Sequence, residues 1–205
     1  MNYYLDNSDT YYLESEYWSE ERDFLKNNQC RLLNRNEANE FNLSNFFKKN
    51  DTDIKPILRR YFEYFILPYE LDDYIDSDLT TDKVIIELIS ENLKNNIYLA
   101  STDKDKCCFI ECRLPITEDI IYNLYRSHIN TPFIIFDADE KFFVLIDFDL
   151  PIQIIGYKDS VIDGNNFILN QMGQSGWSDL FSRYRSYVNL KNIFINYYEP
   201  LIKKS

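Results

Sequence analysis

The sequence predicts an α+β fold: an antiparallel sheet of four or five strands over about residues 97–160, packed with helices from the N-terminal half and the C-terminal tail. Three observations carry this prediction. Apolar residues recur at helical spacing before residue 96, alternate with a period of two after it, and return to helical spacing beyond residue 176. Glycine and proline are scarce, at 4 and 6 residues, and neither a repeat nor a composition shift marks a linker. The 205 residues therefore read as a single domain: a mainly helical segment over 1–96, an antiparallel meander over 97–160 and closing helices over 176–202.

Taken in order, residues 2–24 are acidic and rich in tyrosine. Tyr11-Tyr12-Leu13 suits a short strand, and Ser15 or Ser19 suits a helix cap. Residues 34–50 are polar and read as loop with a short helix around Glu37–Phe47. In DIKPILRRYFEYFILPYEL, residues 53–71, the apolar positions Ile57, Leu58, Tyr61, Phe62, Phe65 and Ile66 fall at helical spacing. Pro56 fits a first turn and Pro68 a stop, so a helix is expected there. Asp72, Asp73, Asp76 and Asp78 make a solvated connection. Residues 80–96 place Val84, Ile85, Leu88, Ile89 and Leu93 on one stripe of a second helix, whose start Asp82 favours electrostatically.

Beyond residue 96, IYLAST and CCFIECRL read as two strands joined by the charged turn 103–106. TEDIIYNLYRSH, 117–128, is a short helix capped by Thr117. FIIFDADEKFFVLIDFDL, 133–150, is a hairpin with Asp139-Glu140 at its tip, which sets Ile135 opposite Val144 and Phe133 opposite Ile146. Its two faces are both apolar, marking it as the most buried hairpin of the chain. PIQIIGYKD is a further strand, DGNN at 163–166 a turn, and the tail from Trp177 one or two helices.

The net charge of −12 disfavours a phosphate backbone as partner, because nucleic-acid binding depends on Lys and Arg displacing counterions. The same field draws in a basic partner. No apolar run reaches 18 residues and no signal peptide is recognisable, so no membrane span is expected. Four cysteines, at 30, 107, 108 and 112, are too few for a disulfide scaffold and suit buried, inert thiols in a reducing cytoplasm.

Catalytic readings fail on spacing. Asp137-Ala138-Asp139 after four apolar residues resembles the first motif of haloacid-dehalogenase-type phosphatases, and VIDGNNF resembles their acidic metal motif. Lys141 replaces the hydroxyl residue expected there, and 26 residues between Asp137 and Asp163 leave no room for the βα units in between. Asp147-Phe148-Asp149 puts two carboxylates on one strand face, about 7 Å apart, as a nucleotidyltransferase would to hold Mg²⁺. The Gly-Ser helix start of such enzymes is missing. His128 stands alone, and Ser175 in GQSGW has Trp177 where a nucleophile elbow needs glycine. No catalytic residue, cofactor site or metal site is therefore expected, and the chain reads as a non-enzyme.

The candidate partner-binding residues are Asp72, Asp73, Asp76, Asp78, the hairpin acids Asp137, Asp139 and Glu140, and the pair Asp147 and Asp149 at the hairpin's other end. Strand alternation divides the hairpin acids into these two groups, roughly 13 Å apart or more by strand rise. The stretch FDADEKFFVLIDFDLPIQIIGY, residues 136–157, has an acidic turn, an apolar strand, Asp-x-Asp and a strand ending in Ile-Ile-Gly. In this it resembles bacterial immunity proteins of contact-dependent-inhibition and related polymorphic toxin systems. The resemblance implies a cognate, basic toxin, such as a nuclease, bound in the cytoplasm and blocked by covering its active site. It implies no individual contact residue and no oligomeric state.

Overall fold

The computed structural model describes residues 23, 25–48, 56–68, 81–102, 108–117, 120, 133–147, 152–158, 162, 167–183 and 188–202. Among the described residues nine strands lie in this order: β1 (Cys30–Leu32), β2 (Phe47–Lys48), β3 (Ile57–Leu58), β4 (Glu63–Pro68), β5 (Ile97–Ser101), β6 (Phe109–Cys112), β7 (Phe133–Asp137), β8 (Phe142–Asp147) and β9 (Ile152–Tyr157). The helices are α1 (Arg35–Ala38), α2 (Thr81–Asn92), α3 (Phe167–Arg183) and α4 (Val188–Ile193). The described residues also include a 3-10 turn at Leu43–Asn45, a π-helical turn at Phe194–Tyr198 and a 3-10 turn at Glu199–Leu201.

Seven strands form one antiparallel sheet in the order β1-β6-β5-β7-β8-β9-β4, and β2 pairs with β3 separately. The α+β class therefore holds, and the sheet is larger than expected. Its five central strands come from residues 97–157, as the period of two predicts. They do not run as a simple meander: β6 folds back to the outer side of β5, so β7 pairs with β5 instead. The two additional strands, β1 and β4, come from the N-terminal half and occupy the two edges.

β4 corrects the expected helix over 53–68. Tyr64, Phe65, Ile66 and Leu67 are all buried, so both strand faces are covered and apolar residues follow one another without alternation. Such a run contains helical spacings by default. Its length of 6 residues and its aromatic and β-branched content favour a strand. The N-terminal half is thus not mainly helical among the described residues, although α2 lies where predicted and buries Val84, Ile85, Leu88 and Ile89.

Both faces of the central sheet are buried. One face carries Tyr98, Phe136, Phe143 and Tyr64, and is covered by Phe41, Phe46 and Phe62 in edge and tilted ring contacts. Gly156 lies opposite Phe143 in the register, and the Phe143 ring rests directly on its backbone. A Cβ there would meet ring carbons at 2.1–2.8 Å, which is why this strand position is glycine. The opposite face carries Leu99, Ile135, Val144, Ile155 and Phe65, the last stacked on Tyr157 at 5.4 Å between ring centroids.

α3 begins at Phe167, earlier than the expected 176, with Gly173 and Gly176 in its interior. Glycine there costs about 1 kcal/mol of helix propensity relative to alanine. Close packing on β4 explains it, since a Cβ at Gly176 would meet the Pro68 ring at 2.6 Å. The helix also satisfies an outward-facing carbonyl of the edge strand, because Trp177 Nε1 donates to the Ile66 oxygen at 2.8 Å. Tyr197 ties the closing helices to β3: its hydroxyl accepts from Leu58 N at 2.9 Å and donates to the Pro56 carbonyl at 3.0 Å. Residues 2–22, the 117–128 helix apart from Thr117 and Ile120, the turns at 103–106 and 163–166, Cys107 and His128 lie outside the described residues.

Candidate functional site: the acidic hairpin tip

The β7–β8 register sets Phe133 opposite Ile146 and Ile135 opposite Val144, the pairing that strand alternation requires. Asp137 sits at the last position of β7, where the chain turns. One of its carboxylate oxygens accepts from both Lys141 N and Phe142 N at 2.8 Å. Glu140 N donates to the Asp137 carbonyl at 3.2 Å, and Glu140 itself takes φ 53°. A left-handed glutamate costs about 1 kcal/mol, so the surroundings must hold it there. They do so through Asp137 on one side and Asn45 on the other, whose Nδ2 donates to Glu140 Oε2 at 2.7 Å.

Asn45 is in turn fixed by its own segment. Asn42 caps the Leu43–Asn45 turn, its Oδ1 accepting from Ser44 N at 3.1 Å and Ser44 Oγ at 2.7 Å. The Arg59 guanidinium donates to the Ser44 carbonyl, and the Tyr61 hydroxyl donates to the Asn45 carbonyl. Lys158 closes the circle: its backbone N–H donates to the Lys141 carbonyl at 2.8 Å, and its ammonium sits 4.6 Å over Tyr61 and 4.3 Å over Phe62. Three chain segments thus converge on the tip and display the exposed Asp139, the half-buried Glu140 and the Tyr61 ring, 57% exposed.

The tip acids have divided roles. Asp139 faces solvent. Asp137, expected at the solvated tip with it, is only 8% exposed and is committed to the turn. Burial pushes the Asp137 carboxyl above the ordinary aspartate value, while the N–H groups of Phe142 and Lys141 pull it back down. Its work is to shape the loop that presents its neighbours.

Asp147 ends β8 opposite Ile152, five residues beyond Phe142 and so roughly 17 Å from the tip by strand rise. The hairpin's carboxylates therefore do not gather at one point. Among the described residues no three His, Cys, Asp or Glu side chains are placed to share a metal ion. Asp72, Asp73, Asp76, Asp78 and Asp149 lie outside the described residues.

Sequence reasoning did not find Asn45, Tyr61 or Lys158 as companions of the tip. Asn45 and Tyr61 come from segments far from it in the chain, Lys158 follows β9, and no local pattern links them. The one usable signal was Tyr61 itself, an aromatic residue two places after Arg59 in a stretch that reads as helix. Equally unforeseen is a cleft of about 340 Å³ at the β1–β6 edge of the sheet, lined by Lys26, Gln29, Cys30, Arg31, Glu111 and Arg113. There Arg31 pairs with Glu37 at 2.8 Å and with Glu111. Burial pushes Glu111 up, but donation from Asn96 and Arg31 outweighs it and keeps the carboxyl below its ordinary value.

No protein-family model, no curated protein and no solved structure matches the chain.

Proposed function

We propose that the chain is an acidic protein-binding module, an immunity protein that binds a cognate basic toxin in the cytoplasm and neutralises it by covering its active site. A nuclease, whose site is cationic because its substrate is anionic, would suit this partner role. The observation that carries the proposal is the hairpin tip: Asp139 and Glu140 stand beside an exposed tyrosine, on a turn fixed by contacts from three segments. Fixed aromatic and acidic groups need little ordering on binding, so more of the contact energy survives as affinity. The net charge of −12 supplies long-range attraction to the same partner.

In this reading Asp139, Glu140 and Tyr61 make contact and Asp137 shapes the loop, while Asp147, Asp149, Asp72, Asp73, Asp76 and Asp78 add to the net negative charge that attracts the partner. The test is co-expression with the C-terminal domain of whatever protein the neighbouring upstream reading frame encodes, followed by size exclusion of the mixture. Growth rescue and a stable complex support the proposal. No rescue and no complex would refute it, and a divalent-metal shift in melting temperature abolished by Asp147→Asn would replace it with a metal-dependent activity.

A further inference from the structure

The β1–β6 edge of the sheet holds two cysteines that come together only in the fold. Cys30 and Cys112 are direct partners in the register, and their sulfurs lie 2.6 Å apart. The ladder assigns the kind of pair they form. Leu33 N donates to the Phe109 carbonyl at 2.9 Å at one end, and Arg113 N donates to the Gln29 carbonyl at 3.3 Å at the other. Hydrogen-bonded and non-hydrogen-bonded pairs alternate along an antiparallel ladder, so Arg31–Glu111 is hydrogen-bonded and Cys30–Cys112 is not. Non-hydrogen-bonded partners have Cα atoms about 4.5 Å apart and side chains in closest approach, within the span a disulfide bridges.

The pair also has an entrance. Cys30, though only 4% exposed, lines the 340 Å³ cleft together with Lys26, Arg31 and Arg113, whereas Cys112 is fully buried and takes no part in the lining. Lys26, Arg31 and Arg113 stand there against Glu111 and Glu37, both of which pair with Arg31, so Lys26 and Arg113 leave a net positive spot on a strongly negative protein. A small anionic disulfide is drawn to such a cleft and a neutral one is not.

The geometry points to Cys30 and Cys112 as a dithiol–disulfide pair, oxidised by exchange with a small anionic disulfide of the oxidised-glutathione class that enters the cationic cleft. The Cys30 thiolate attacks one sulfur of oxidised glutathione and displaces a glutathione thiolate, which takes up a proton. The Cys112 sulfur, its proton passed to solvent, then attacks the Cys30 sulfur and displaces the second glutathione. Two cysteine thiols lose two electrons, and one glutathione disulfide gains them to become two thiols. Contact with Cys30 and burial both push the Cys112 thiol up, which suits Cys112 to the role of the second, resolving sulfur and not of the first nucleophile. Cys108, also fully buried and pushed up to about 12 by burial, lines no part of the cleft and serves as an internal control.

Closing the pair joins positions 82 residues apart and fastens β1, a strand of only 3 residues, to the sheet. The test uses the full chain equilibrated with oxidised glutathione, alkylation of remaining thiols under denaturing conditions, and peptide mapping by mass spectrometry. The expected product is one intramolecular bond between Cys30 and Cys112, a mass lower by two hydrogen atoms, and a melting temperature about 10 °C above that of the reduced protein. In Cys112→Ala, Cys30 is trapped as the mixed disulfide with glutathione. Reversing Lys26 and Arg113 to glutamate slows oxidation by glutathione about 10-fold at low salt and leaves oxidation by neutral hydroxyethyl disulfide unchanged. Wild-type protein in which Cys30 and Cys112 remain open to alkylation, or in which the bond forms through Cys107 or Cys108, overturns the pairing. An unchanged glutathione rate after charge reversal overturns the route. Mapping of the wild type requires no variant to fold.

Discussion

Replacing Gly156 by alanine probes how the candidate site is anchored to the core. The new methyl would lie 2.1 Å from Cε1 of Phe143, and reaching the 3.4 Å of ordinary contact takes a displacement of about 1.3 Å. Phe143 has little room for it, since the ring is fully buried and meets Phe46 at 5.2 Å, Phe62 at 5.0 Å and Tyr64 at 6.3 Å between centroids. Overpacking of this kind costs about 1–3 kcal/mol, and the enclosing rings put this case near 3 kcal/mol. The strain is relieved by shortening the partner. Phe143→Leu alone leaves a hole, whereas in Gly156→Ala/Phe143→Leu the alanine methyl occupies part of it. Urea unfolding followed by circular dichroism, on all four proteins, gives the double-mutant cycle. The expected coupling is at least about 1 kcal/mol, with the double variant more stable than the sum of the singles. Additive losses would show that Phe143 does not rest on Gly156, and would undercut the explanation of why this strand position is glycine.

Other perturbations address separate links. The folded-state carboxyl of Asp137 is raised above its unfolded value, so its charged form costs stability above the folded value, and this cost is relieved as pH falls through it. Asp137→Asn keeps an oxygen acceptor for Lys141 N and Phe142 N without the charge; relative to this variant the wild type should gain stability between pH 7 and acid, and a relative loss would reverse the assignment. Trp177→Phe keeps the ring contacts with Phe181 and Phe194 but leaves the Ile66 carbonyl without its indole donor, a loss of about 1–2 kcal/mol by thermal unfolding. An unchanged midpoint would mean that the edge of β4 needs no cover. Gln153 is fully buried opposite Ile146 and Leu67, and both its amide atoms lack a hydrogen-bond partner among the described residues. Gln153→Leu should therefore raise stability by about 1–2 kcal/mol, and a fall would reveal a partner for that amide.

The regions of the fold legible in the sequence are those where one physical signal dominates. The β7–β8 hairpin could be registered residue by residue because its polar tip, Asp139-Glu140, leaves only one way to pair the flanking apolar runs. α2 was legible because its stripe from Val84 to Leu93 has a polar face opposite. β4 was not, because burial on both faces erases alternation and the run then satisfies a helical template equally well. β1 was missed since three residues carry no period, and its identity rests on long-range pairing with β6. The start of α3 was hidden by Gly173 and Gly176, whose role is contact with Pro68 and Leu67 and not loop formation. At the candidate site, the exposed acids were readable from charge alone. The roles of Asn45, Tyr61 and Lys158 were not, because they depend on how separate segments meet above β8 and β9.

The central claim is that a fixed acidic and aromatic tip recognises a basic protein. Its most direct measurement is titration calorimetry of the chain against the C-terminal domain encoded by the neighbouring upstream reading frame, for the wild type, Asp139→Lys/Glu140→Lys and Tyr61→Ala, at low and at physiological salt. The wild type should bind, with affinity falling as salt rises, and Tyr61→Ala should weaken binding about 30-fold, equivalent to about 2 kcal/mol. The double charge reversal should weaken it further and remove most of the salt dependence. Binding that is indifferent to all three substitutions, or no binding by the wild type, would contradict the account.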